Sequence, residues 1–273
     1  MLRFLAYTFG FSWILWAVAI LHGGGTSDPF VGVVHTVAAA GPSLIAGLLA
    51  LTGRPGTRQA RLSAAGRWLP AALVVGLAPA VGAAALAPIV GGPALDPGRF
   101  ADAARNSGGW LLWLVLAVSI GGPLAEEFGW RGYLQPLLRR RLSAGRVTFV
   151  LGPIWFLWHV PLFFIAGTSQ HDMGLFTVQG LGFFLVIIAH TAGQLYITER
   201  LRGGVPAAVL EHLAFNLSFL LVPLDSMAVA LIYLGLNGLT ALVAGRLHTR
   251  GEPGATPRPS PDHVGLTATG QEV

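Results

Sequence analysis

The chain has 273 residues, of which 11% are charged and 53% hydrophobic, with a mean hydropathy of +0.65 and a formal net charge of +5. A soluble domain carries roughly 25% charged residues, so an ordinary water-soluble enzyme is excluded, and so is a wholly disordered chain. An integral membrane protein remains. The absence of cysteine removes disulfides, a thiol nucleophile and thiolate metal ligands. All 17 residues of the Lys and Arg set are arginine. They are scattered through the loops and form no basic patch with interleaved aromatics, so no nucleic-acid partner is expected.

Runs of about 20 apolar residues predict membrane helices. Eight follow in chain order: Phe4–Leu21, Val31–Leu51, Leu69–Val90, Trp110–Trp130, Val147–Ala166, Leu175–Ile197, Val205–Val222 and Met227–Val243. The first has the Arg3, apolar core and Ala17-Val18-Ala19 of a signal peptide, but its apolar run continues through Leu21, which favours a retained helix. With a cytoplasmic N-terminus, the inside segments hold fifteen arginines and the outside segments only Arg99 and Arg105. That bias fits the positive-inside rule, an even number of spans and two cytoplasmic termini. The expected fold is an all-α polytopic bundle over residues 1–249, with its motif core near 120–220. The polar stretch 250–273 is expected to be a disordered cytoplasmic tail. The basic stretch Gln135–Arg146 is expected to form a short interfacial helix. The tryptophans are expected mostly at membrane interfaces or on lipid-facing walls.

Charges inside apolar runs are the informative feature, because each costs roughly 2.5–3.5 kcal/mol at a helix centre. The fourth run ends in Glu126-Glu127-Phe128-Gly129-Trp130-Arg131. Glu127 and Arg131, four apart, share a face and can pair. Glu126 lies about 100° away, with no local partner expected. In the fifth run Trp155 and His159 share a face, and Pro161 is expected to bend the helix and free the Leu157 carbonyl. In the seventh run His212 and Asn216 share a face, with Glu211 beside them facing either Arg202 or His212. His35 and His190 read as packing or polar-glue residues.

Counted from the cytoplasmic helix ends, Glu126 is expected about 8 Å deep, His212 about 10 Å and His159 about 18 Å. All three could then line one cavity opening to the cytoplasm. A carboxylate and an imidazole can take a proton from water. A second imidazole with an amide can donate to a developing oxyanion. These residue types suit hydrolysis.

The three elements, in this order, resemble the CAAX protease and bacteriocin-processing (CPBP) family of intramembrane glutamic endopeptidases. That family carries Glu-Glu-x-x-x-Arg, aromatic-x-x-x-His and His-x-x-x-Asn/Asp motifs on separate membrane helices. Trp155 stands where phenylalanine is usual. The resemblance implies that Glu126 and His159 activate water, that His212 and Asn216 form the oxyanion hole, and that Glu127 and Arg131 support the site, with Trp155 as an aromatic wall. It implies a bacterial inner-membrane endopeptidase cutting a peptide or membrane-protein substrate near the cytoplasmic face. No cofactor is expected. A zinc ion on Glu126, His159 and His212 is the alternative by ligand type, although His-Glu-x-x-His is absent. A structural ion cluster, or a non-hydrolytic immunity-like binder or transporter with buried charges along a pathway, is the competing reading.

Overall fold

The computed structural model describes residues 1–52, 66, 68–106, 108–110, 122–222 and 226–250, and every regular element among them is helical. The predicted tail falls outside them, as does most of the fourth predicted run.

Helix α1 (Leu2–His22) ends at Gly23. The Asp28 side chain accepts from the Phe30 and Val31 amides and starts α2 (Pro29–Ala39), the usual way to satisfy orphan helix-start donors. Ala40 separates α2 from α3 (Gly41–Leu51), which has Pro42 in its first turn, and the pair is bent by 46°. Helix α4 (Trp68–Leu86) tightens into a 3-10 turn over Ala87–Val90, and α5 (Gly98–Asn106) is short. Helix α6 (Pro123–Gly129) runs through a wide π turn, Trp130–Leu134, into α7 (Gln135–Arg139). Helix α8 (Ala144–His159) is followed by a 3-10 turn, Val160–Phe164. There Pro161 tightens the chain, and the Leu157 carbonyl is taken by the Val160 amide instead of being freed. Then come α9 (Ser169–Met173), α10 (Val178–Leu195) with its own π turn at Tyr196–Arg200, α11 (Gly204–Phe219) and α12 (Met227–Thr249).

Among the described residues, five helical segments are long and apolar enough to cross a membrane: Leu2–His22, Trp68–Val90, Ala144–Phe164, Val178–Arg200 and Met227–Thr249; the bent pair α2–α3 would make a sixth. The seventh predicted run forms α11, whose 16 residues span about 24 Å, short of a hydrocarbon core of about 30 Å.

Two ends of the bundle can be told apart by their contacts. At one end Glu199 accepts from Arg139 Nε and Gln135 Nε2, both at 2.9 Å, and lies 3.6 Å from His248 Nε2. These contacts tie α7, α10 and α12 together beside the arginines. At the other end the Thr26 amide donates to the Ala166 carbonyl at 2.8 Å, docking the α1–α2 turn onto the turn after α8.

The middle is held by aromatic rings. Trp16, Trp130 and Trp158 are buried, and Trp158 lies 4.8 Å from Trp16 and 5.7 Å from Trp130 between ring centroids. Trp155 is buried as well. Trp16, Trp130 and Trp158 are core residues, contrary to the expected interfacial or lipid-facing placement, because they pack against one another and against histidines; Trp155 is expected as an aromatic wall of the site. Elsewhere small residues let helices touch: a Cβ on Gly76 of α4 would lie 2.6 Å from the Glu211 carbonyl oxygen and 2.8 Å from the Ala214 Cβ on α11. We therefore expect Gly76→Leu to destabilise the purified protein by about 1–3 kcal/mol through overpacking, read as a lower thermal midpoint in detergent. Gly10→Leu, where a Cβ meets nothing within 4 Å, should leave the midpoint unchanged.

Candidate active site

Helix α6 starts at a glycine that geometry requires. Gly122 has φ of 106°, a region L side chains rarely adopt. A Cβ there would also lie 2.5 Å from Glu126 Oε1. The Glu126 amide donates back to the Gly122 carbonyl at 2.8 Å, which sets this carboxylate in the first turn.

Glu126 is buried, and its Oε2 accepts from two indoles, Trp130 Nε1 at 3.1 Å and Trp155 Nε1 at 2.5 Å. The expectation that it lacks a local partner is therefore overturned. Trp130 sits four residues on along the same helical stretch, and the indole N–H reaches the carboxylate while the ring stays in the apolar core.

Glu127 turns the other way. Its Oε1 accepts from Arg131 Nη1 at 3.1 Å, His212 Nδ1 at 2.7 Å and Gln194 Nε2 at 3.4 Å. The predicted Glu127–Arg131 pair is present, and it is buried. The Arg131 guanidinium carbon lies 4.1 Å from the Trp155 ring centroid, a cation–π placement that serves a charge away from water.

His159 closes α8. Its Nδ1 lies 2.8 Å from the Trp155 carbonyl. A carbonyl only accepts, so Nδ1 carries the hydrogen and neutral His159 has an unprotonated Nε2.

These groups meet at one cavity of about 520 Å³. Glu126, His159, His212 and Asn216 all line it, together with Trp155, while Trp158, Leu162, Phe183, Ile187 and Phe215 give it apolar walls. The four residues picked from the sequence are thus brought together from α6, α8 and α11. Glu127 and Arg131 lie behind the lining. Among the described residues no group of three or more His, Asp or Glu side chains is placed to hold a metal ion.

The depth along the helix differs from expectation. The helical path does not end shortly after Arg131; it continues through the π turn to Arg139. Glu126 therefore lies about 20 Å from that end by helical rise. His159 is at the last residue of α8, farthest from the start at Ala144. The cavity is lined toward its opening by Thr26, Gly167, Ser169, Gln170, Val178 and Gln179, at the end opposite the arginines.

Three further polar residues pack at or beside this cavity. His35 lines the cavity, and its Nδ1 accepts from Trp16 Nε1 at 3.2 Å. His190 stacks 5.4 Å from Trp155, 5.5 Å from His212 and 4.4 Å from Phe215. Its Nε2 lies 3.2 Å from Glu211 Oε2, so Glu211 faces His190, not Arg202. The signal was present: His190 and Gln194 are four apart, as in the other polar pairs.

Residues 108–218, which contain all three motifs, match the family described as Type II CAAX prenyl endopeptidase Rce1-like. A protein named CAAX prenyl protease 2 from Methanococcus maripaludis is 32% identical over 94 residues, covering 34% of this chain and 35% of that protein. The chain thus matches about a third of this relative's length. Over the motif-bearing segment, the resemblance read from the sequence holds.

Removing one partner from a buried ion pair strands the other and costs about 3–5 kcal/mol. Glu127→Ala should accordingly lower the thermal midpoint of detergent-purified protein sharply and reduce its monodisperse yield. Glu126→Gln, which keeps an oxygen acceptor for the indoles, should fold at near wild-type yield.

Proposed function

We propose that the chain is an intramembrane endopeptidase that hydrolyses a peptide bond of a membrane-associated protein or peptide. The observation that carries this is the convergence of Glu126, His159, His212 and Asn216, from three separate helices, on one aromatic-walled cavity. The match of residues 108–218 to an endopeptidase family supports it. The family reading also favours a bacterial inner membrane as the setting.

In this reading Glu126 is the base. Its Oε2 is held by Trp130 and Trp155, which leaves Oε1 to take the proton of a water. The Nε2 of His159 accepts from the same water and orients it. The water oxygen attacks the scissile carbonyl carbon, and a tetrahedral oxyanion forms. His212 Nε2–H and the Asn216 amide donate to that oxyanion.

The Nδ1 of His212 already donates to Glu127. A hydrogen on its Nε2 therefore makes it an imidazolium. That positive charge would lie beside Glu127, which accepts from it. When the intermediate collapses, the C–N bond breaks and the proton on Glu126 passes to the leaving amine. No metal or cofactor takes part in any step. The apolar walls suit a hydrophobic stretch beside the scissile bond.

The test compares membranes from cells expressing wild type or Glu126→Gln at equal levels, by mass spectrometry of new peptide termini. Termini seen only with wild type support the proposal and name the substrate; equal termini in both sink the glutamate mechanism. General bases contribute typically 10²–10⁴-fold, so Glu126→Gln should lose cleavage by about that factor. Asn216→Ala should lower kcat by about 10²–10³-fold with KM little changed, as for other oxyanion donors.

A further inference from the structure

We propose that this cavity takes its substrate from the non-cytoplasmic face of the membrane, so that the polypeptides cut are exported or membrane-inserted peptides presented there. The identity of the substrate class rests on the endopeptidase reading; the orientation does not.

Three observations point the same way. The first is charge. Arg139, Arg140, Arg141 and Arg146 flank the α7–α8 turn, Arg200 and Arg202 follow α10, and Arg246 and Arg250 close α12, all at the end where Glu199 joins those helices. Arg3 belongs to the same end, because its neighbour Phe4 stacks on Tyr133 at 4.9 Å. The opposite end carries only Arg99 and Arg105 among the described residues. Arginines are retained on the cytoplasmic side during insertion, which fixes the arginine-rich end there.

The second is the opening. The cavity lining reaches the surface through Gly167, Ser169, Val178, Gln179 and Met227, all exposed and all in turns or helix starts at the arginine-poor end.

The third is the closed floor. Between the cavity and the arginines lie Glu127, Arg131 and Gln194, and beyond them Gln135 bonded to Thr198 and Glu199. Glu127, Arg131, Gln135 and Gln194 are all buried. A peptide coming from the cytoplasm would have to break this buried polar layer, whose groups cannot be left unpaired without a penalty of several kcal/mol. Toward the other face the described lining residues include the uncharged hydrogen-bonding side chains Thr26, Ser169, Gln170 and Gln179, and then the apolar walls. That rim suits a neutral, apolar segment lying at the outer interface.

Because the native chain has no cysteine, single cysteines report topology directly. Ser169→Cys sits at the opening, and Gly145→Cys lies at the arginine end on an exposed residue whose Cβ meets nothing within 4 Å. Intact bacterial cells expressing each full-length variant are treated with a membrane-impermeant maleimide, and then again after permeabilisation. We expect Ser169→Cys to be labelled in intact cells and Gly145→Cys only after permeabilisation. The reverse pattern, or labelling of Ser169→Cys only after permeabilisation, overturns the proposal. The labelling does not depend on catalysis, so it stands or falls apart from the protease reading. Where cleavage is found, new termini confined to cytoplasmic segments would overturn the substrate class even with the expected labelling.

Discussion

A carboxylate buried beyond reach of water in a helix bundle has to be surrounded by donors, and Glu127 meets that condition from three helices at once. Arg131 approaches from its own helix, Gln194 from α10 and His212 from α11. An unpaired charge at this depth would cost several kcal/mol, so the three elements must keep their register. The consequence spreads outward. With Arg131 held by Glu127, its guanidinium lies against Trp155 and brings α8 into the cluster. Trp155 in turn directs its N–H to Glu126. One ion pair that never touches the cavity thereby sets the direction of the carboxylate that does.

What single-helix spacing can reveal was legible in the sequence. The apolar runs gave the helices, and the four-residue intervals gave Glu127–Arg131, Trp155–His159 and the His212–Asn216 pair that lines the cavity. Contacts between helices were not legible. Glu211 and His190 lie 21 positions apart, and nothing in the spacing of either helix pairs them. The same holds for the indole of Trp155 on Glu126. The tryptophans were misread because composition in a membrane chain favours interfacial belts. Here the polar N–H groups of Trp130 and Trp155 have buried partners, so their rings can sit at the centre.

The depth error has a separate physical origin. Charge density was taken to mark the end of the fourth run, since lipid does not tolerate charged side chains well. But Arg131 is neutralised inside the protein by Glu127 and the Trp155 ring, and so it carries no information about the membrane boundary. The next arginines along the chain, Arg139 and Arg140, are partly exposed and exposed, respectively. A π turn lets the backbone pass from Arg131 toward Arg139 without a break, and such turns are frequent at functional sites.

The two ends of the bundle are built from different materials, and this difference follows from what each must do. Long side chains seal the arginine end, where Arg139, Gln135 and His248 converge on Glu199. The other end is made of backbone. Gly25 and Gly167 both have positive φ, and a Cβ on either would strike the facing turn, at 2.7 Å from the Ala166 carbonyl oxygen for Gly25. The α1–α2 turn can therefore sit directly on the turn after α8, held by an amide–carbonyl bond at 2.8 Å. Long polar side chains thus close one end of the bundle, while a direct backbone contact between two turns ties α1–α2 to α8 at the other.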